Sequence, residues 1–127
     1  MIVVDASAAV AALLNAGPAR TALSEETLHA PHLIDSEVAQ ALRRLVLRGS
    51  LGADDGWTAL DSWRRLGVIR SPVGGLLDRV WELRENVSAY DASYLALAEA
   101  LGCPLLTADA RLGRAPGLRC PVTVVPR

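Results

Sequence analysis

No lysine occurs in the chain; all thirteen basic side chains are arginine. P-loop nucleotide hydrolysis, Schiff-base catalysis and receiver-type sites are thereby excluded, because each needs a lysine amine. Phenylalanine is also missing and aromatics are only 4% of the 127 residues, so a core has to be built mainly from Leu, Val and Ala. The two cysteines, Cys103 and Cys120, form no C-x-x-C pair and have no histidine beside them, which argues against zinc and fits a reducing cytosol. A long apolar run is lacking too. The stretch from Ile2 to Leu14 is broken by Asp5 and closed by Asn15, too short for a bilayer, and no positive charge precedes it as in a signal peptide. Nor is there a charge excess: thirteen basic against fourteen acidic residues leave −1. These absences predict a cytoplasmic protein with no membrane association.

What is present, 51% apolar and 21% charged residues, suffices for a core and a polar surface, and the length predicts one domain over residues 1–127. Ile2-Val3-Val4 predicts a buried strand, and Asp5-Ala6-Ser7 caps a helix to Leu14. Pro18 opens a second helix to about Glu26, Leu28 to Ala30 is a weak strand, and the pattern after Pro31 is helical as far as Gly49. Helices follow over Ala53 to Leu66, Leu76 to Glu85 and Ala92 to Leu101, the last capped by Ser88 or Asp91 and closed by Gly102. Strands are expected at Val68-Ile69, Leu105 to Thr107 and Val122 to Val125, with a short helix from Asp109 to Arg114. The alternation predicts an α/β fold: a central parallel sheet of about four to five strands with helices on both faces.

In such a sheet ligands bind beyond the carboxyl ends of the strands. Asp5 ends the first strand, Asp109 follows the strand at Thr107, Asp91 opens a helix, and Glu37 lies early in the helix after Pro31. Four carboxylates far apart in sequence can therefore converge on one rim. Each has a plainer reading: the three aspartates cap helices, and Glu37 is a solvated helix residue that pairs with Arg44 or a neighbour. Asp35 competes with Glu37, but residues two apart on a helix point to different faces. The case rests on convergence.

The blocks that carry these acids resemble PIN-domain ribonucleases, and within them VapC toxins of bacterial toxin–antitoxin pairs. They are Val3-Val4-Asp5-Ala6-Ser7-Ala8; Pro31 with Glu37-Val38 and Ala41-Leu42; Tyr90-Asp91-Ala92 with Leu95-Ala96; and Leu106-Thr107-Ala108-Asp109-Ala110-Arg111-Leu112. The resemblance spans nearly the whole chain, in the family's order and spacing. It implies a PIN-like domain and places the family's metal-binding acids on Asp5, Glu37, Asp91 and Asp109, with Thr107 also matching. Gln40 stands where such proteins often carry Asn, an exchange of one amide for another.

Oxygen-only ligands suit Mg²⁺, with Mn²⁺ as substitute, and a metal so held supports phosphodiester hydrolysis without a nucleophilic side chain. The resemblance implies RNA as substrate and products with 5′-phosphate and 3′-hydroxyl ends. We expect Asp5, Asp91 and Asp109 to hold metal and Glu37 to act through water. Ser7 and Thr107 support the carboxylates or serve as ordinary caps. No acid follows Asp109, while Arg111, Arg114, Arg119 and Arg127 do; Arg111 and Arg114 are candidates for RNA phosphates. Neither His29 nor His32 is needed for catalysis. Trp57 and Trp63 mark one helix as either a partner surface or a lid on the core. The resemblance further implies a homodimer and a VapB-like antitoxin, whose helix crosses the first and fourth helices and whose tail carries an Arg to the carboxylates.

The alternative is a catalytically silent PIN-like module that binds RNA or protein. Such a module should have lost acids, and all four positions are filled. A haloacid-dehalogenase-type phosphatase needs a second Asp where Ser7 stands and a distant Lys; a serine hydrolase needs a G-x-S-x-G elbow, which is missing. No base-reading element identifies the RNA.

Overall fold

The β-branched run Ile2–Val4 forms β1, the central strand of a five-stranded sheet, in a computed structural model that describes residues 1–127. Leu28–Pro31 (β2) and Ile69–Ser71 (β3) extend the sheet on one side; Leu105–Thr107 (β4) and Val122–Val124 (β5) extend it on the other. The order is β3-β2-β1-β4-β5 and every pair is parallel. Chain progression therefore reverses between β1 and β4, where Val3 pairs with Leu105 and Val4 with Leu106. With right-handed crossovers, such a reversal puts the connecting helices on opposite faces.

On one face lie α1 (Ala6–Leu14), α2 (Pro18–Glu25), α3 (Ile34–Leu47) and α4 (Ala53–Arg65), packed on one another. On the other, α6 (Ala89–Leu101) crosses β1, β2 and β4, with α5 (Leu77–Glu82) against it. A short α7 (Ala110–Gly113) sits beside β5. The α6 stretch from Ala92 to Ala98 is continuously buried, as a helix trapped between sheet and α5 requires. Each fully buried leucine there, such as Leu95, stabilises by about 1.5–3 kcal/mol. Helix α4 approaches α3 at Gly56, where a Cβ would lie 2.9 Å from Val46 Cγ2. No helix is long and apolar enough to cross a membrane.

Differences from the sequence reading are local. The third strand lies at Ile69–Ser71, because Val68 is held in a turn by its N–H bond to the Leu66 carbonyl. The expected helix from Leu76 to Glu85 is a 3₁₀ turn at Gly74–Leu76 followed by only six α-helical residues. Ser88 rather than Asp91 caps α6, its Oγ accepting the Asp91 N–H at 3.1 Å. Gly102, with φ +65, closes that helix in the left-handed region that favours glycine. The two tryptophans part company: Trp63 is 1% exposed in the core, whereas Trp57 is 57% exposed.

Candidate active site at the strand carboxyl edge

The switch between β1 and β4 brings Asp5 beside Thr107. Asp5 caps α1 and is 6% exposed. Its Oδ1 accepts the Ala8 N–H at 2.9 Å and the Ser7 hydroxyl at 2.7 Å, and its Oδ2 accepts the Thr107 hydroxyl. In turn the Ser7 oxygen accepts the Ala108 N–H at 2.8 Å and the Thr107 oxygen accepts the Asp109 N–H at 3.0 Å. Ser7 and Thr107 therefore do more than end a strand or turn a helix; they bind the Asp5 carboxylate to the backbone that delivers Asp109.

Electrostatics separates the four acids. Burial pushes the Asp5 carboxyl above its ordinary value despite its three hydrogen bonds, and the charge of Asp109 adds to the rise. Asp91, in the first turn of α6, is raised by burial and by the charges of Asp5 and Asp109. Glu37, in the first turn of α3, is raised by burial and by Asp91 and Asp5, against the bond it accepts from the Tyr94 hydroxyl at 2.6 Å. No arginine lies on Asp5, Glu37 or Asp91: every side-chain ion pair of the chain is made elsewhere. Asp109 differs. Arg111 grips it with Nε on Oδ1 at 3.0 Å and Nη2 on Oδ2 at 2.6 Å, and this bond holds the Asp109 carboxyl below its ordinary value.

Helix capping thus accounts for Asp5 and Asp109, each accepting a backbone N–H at its helix start, but not for the mutual repulsion they share with Asp91 and Glu37. The surface pairing of Glu37 with Arg44 does not occur, since Glu37 is committed to Tyr94. An all-oxygen donor set with excess negative charge suits a hard divalent cation, although no three acids close into a ready-made coordination shell.

The arginines after Asp109 divide. Arg111 lies on Asp109 with its own side chain 81% exposed, and Arg114 is exposed at the end of α7. Arg127 approaches the Ala108 carbonyl at 3.4 Å. Arg119 leaves the group: its N–H reaches Glu99 at 2.9 Å and its guanidinium Glu82 at 3.6 Å. Beside the acids, an open groove of about 830 Å³ runs between α1 and α3, over Val10, Leu14 and Leu45, and ends at Ser7 and Glu37. Arg44, Arg48 and Arg127 line it. It lies between the first and third helices.

Sequence reasoning missed Tyr94 and Arg70. Tyr94 stands three residues after Asp91, a spacing that places both on one helix face. Arg70 belongs to a strand whose polar residues carry no period, and nothing in the sequence pointed it at Asp35.

A family model described as "PIN domain" matches residues 2–118. The chain is 64% identical over 127 residues to Ribonuclease VapC9 of Mycobacterium tuberculosis (strain ATCC 25618 / H37Rv), covering 100% of each. It is also 46% identical over 128 residues to Ribonuclease VapC1 of the same strain, covering 97% of this chain and 96% of that one. Among solved structures it is similar to PAE2754 from Pyrobaculum aerophilum, with a TM-score of 0.71 at 25% identity, covering 95% of this chain and 81% of that one.

Proposed function

Because the chain belongs to the PIN-domain family and, within it, to the VapC ribonucleases, we propose that it hydrolyses RNA phosphodiester bonds at the rim formed by Asp5, Glu37, Asp91 and Asp109, with Mg²⁺ as cofactor and Mn²⁺ as substitute. The observation that carries this reading is the set of mutually repelling carboxylates at the β1/β4 switch point, with Asp5, Glu37 and Asp91 in contact with no arginine.

Asp5, Asp91 and Asp109 would hold the cation, and once bound it would neutralise the cluster and stabilise charge at the scissile phosphate. Ser7 and Thr107 keep both Asp5 oxygens oriented toward a fixed backbone frame. Glu37 orients the attacking water and accepts its proton. Arg111, which pairs with Asp109 and is otherwise exposed, and Arg114, exposed at the end of α7, would supply positive charge for two substrate phosphates.

The test is cleavage of single-stranded RNA by purified protein with Mg²⁺ or Mn²⁺, with and without EDTA. Chelation is expected to abolish cleavage and leave 5′-phosphate ends unformed; undiminished cleavage in excess chelator would overturn the reading.

As a toxin acting on cytoplasmic RNA the protein would be held by a VapB-like antitoxin. The α1–α3 groove offers the antitoxin apolar contacts that end at Glu37. Leu14→Asp, in the groove and remote from the acids, is expected to leave cleavage intact and block neutralisation by the antitoxin. The homodimer belongs to the same reading: Leu77 and Trp81, 55% and 68% exposed on α5, are apolar surface available to a second copy, and sedimentation at micromolar concentration decides it.

A further inference from the structure

Tyr94 is 2% exposed, among the largest fully buried side chains of the protein, and its ring is packed within α6's buried face. Only its hydroxyl has a polar errand, and it spends its hydrogen on Glu37 Oε1 at 2.6 Å. This is the single side-chain hydrogen bond joining α3 to α6, the helices that deliver Glu37 and Asp91. Glu37 is half-buried and its side chain has no other hydrogen-bond partner, so without the phenol its three side-chain torsions have nothing polar to fix them.

Resting on the reading of Glu37 given above, we propose that Tyr94 is a positioning residue for RNA cleavage: it commits Glu37 Oε1 to α6 and leaves Oε2 as the one oxygen free to work at the acid cluster. The rigidity comes from the ring. A tyrosine locked in the core has one hydrogen-bond donor at a fixed point in space, whereas a water or a surface arginine in its place would move with the solvent. Burial and the Glu37 charge drive the phenol's ionisation upward, so it stays a donor across the working range of pH. The spacing matters as well. Asp91 and Tyr94 are one helical turn apart, so the element that carries a candidate metal ligand also sets the direction of the acid that acts on water.

A buried hydroxyl needs an acceptor in any case, and Glu37 would serve that structural need without any part in the reaction. Kinetics separates the two. Tyr94→Phe removes one oxygen and keeps the ring. It is expected to lower kcat for single-stranded RNA about tenfold, the scale of one hydrogen bond to a charged group, with KM changed less than twofold because the ring does not reach the surface. Glu37→Gln is expected to cost more, and adding Tyr94→Phe to it should cost nothing further, since the phenol acts through the carboxylate. Glu37→Asp keeps the charge but draws the carboxylate away from both the phenol and the acid cluster, and should cost at least as much as Tyr94→Phe. The rise in melting temperature on adding Mg²⁺ should survive in Tyr94→Phe, where Asp5, Asp91 and Asp109 are intact.

Wild-type kcat in Tyr94→Phe or in Glu37→Asp overturns the proposal, as does a loss in the double variant that multiplies the two single losses. A Glu37→Gln variant that cleaves like wild type removes Glu37 from the reaction and Tyr94 with it. Loss of the Mg²⁺ response in Tyr94→Phe shows a general disturbance of the rim and overturns the assignment to Glu37.

Discussion

Asp35 and Glu37 stand two residues apart in the first turn of α3, yet they live in opposite electrostatic worlds. Asp35 accepts Arg70 Nε at 2.7 Å, Arg70 Nη2 at 2.8 Å and the Trp63 indole N–H at 2.9 Å. Those bonds hold its carboxyl below the ordinary value, Arg70 contributing most. Glu37 has only a neutral phenol, and burial leaves it raised. The same contrast runs along α6. Near its end, Glu99 is clamped by Arg79 at 2.7 and 3.2 Å and by the Arg119 N–H; at its start, Asp91 makes no ion pair and feels Arg111 only as a minor charge at longer range. Arginines are plentiful and the fold uses them to neutralise its structural acids. Where it leaves three carboxylates unpaired beside one another, at the one edge where an open parallel sheet takes ligands, the cation is expected to come from outside.

The largest expected effect breaks the comparison at the rim. Asp5→Asn and Asp91→Asn keep shape, and Asn caps a helix about as well as Asp. If Asp5 were only a cap, and Asp91, where Ser88 already caps α6, only a first-turn charge, little would change. As ligands, each loss should lower cleavage by about 100-fold or more while the fold survives, the scale seen when preorganised charge is removed from an active site. Metal-free melting should hold or rise, because one charge leaves a repelling cluster, and Mg²⁺ should stabilise wild type more than either variant. Variants that cleave, melt and answer Mg²⁺ like wild type would return the rim to ordinary capping.

Glu99 is the counter-test, because the same loss of charge should act on stability alone. Its side chain is 9% exposed and that of Arg79 16%, so Glu99→Gln takes the charge and one acceptor oxygen from a largely buried guanidinium, which keeps the amide oxygen, Glu82 and the Gly117 carbonyl. We expect about 1–3 kcal/mol of destabilisation and unchanged kcat per folded molecule. A chemical denaturation midpoint equal to wild type, or a specific loss of cleavage, would dissolve the distinction between paired and unpaired acids.

Much of this was legible in the chain, for reasons that differ by element. Ile2–Val4 and Leu105–Thr107 are apolar and bounded by caps or Pro, so both central strands could be placed, and with them Asp5 and Asp109. Strand β3 carries Arg70 and Ser71 and has no apolar signature, so it was placed at Val68-Ile69. The acids were legible because each sits at the start of a helix that leaves or meets the same edge. Their partners were not: Tyr94 meets Glu37 across 57 residues, and Arg70 meets Asp35 across 35. Such contacts depend on how two elements face each other in space, which periodicity does not record. Trp57 and Trp63 could have been separated, since six residues on a helix turn one well away from the other.

Arg111 sharpens the comparison from the other direction, being the one arginine ion-paired with an acid of the rim. If it serves RNA, Arg111→Ala with Arg114→Ala should weaken binding several-fold at moderate salt. The slope of log affinity against log salt should flatten by about 1.4, the single-strand value for two phosphate contacts. Equal slopes in wild type and double variant would leave Arg111 as a surface partner of Asp109 and nothing more.

The smallest effect is a difference in sign between the two neighbours on α3, measured in EDTA so that no metal intervenes. Asp35 has a depressed pKa, so its stabilisation is complete above the unfolded carboxylate value and fades as pH falls through the folded one. Asp35→Asn should therefore melt below wild type at pH 7 and converge with it in acid. The gap should stay under about 1 kcal/mol because Asp35 is half exposed and solvent screens the pair. For Glu37 the sign reverses. Burial raises its pKa, so folding favours the protonated acid and wild type loses stability as pH climbs from the unfolded value through the folded one. Glu37→Gln carries no such loss and should gain on wild type over that window. Two acids separated by one serine would then titrate stability in opposite directions. Melting curves for both variants from pH 3 to pH 7 decide it: parallel trends would mean that Glu37 is no more burdened by its charge than Asp35, and the case for an external cation at the rim would lose its electrostatic footing.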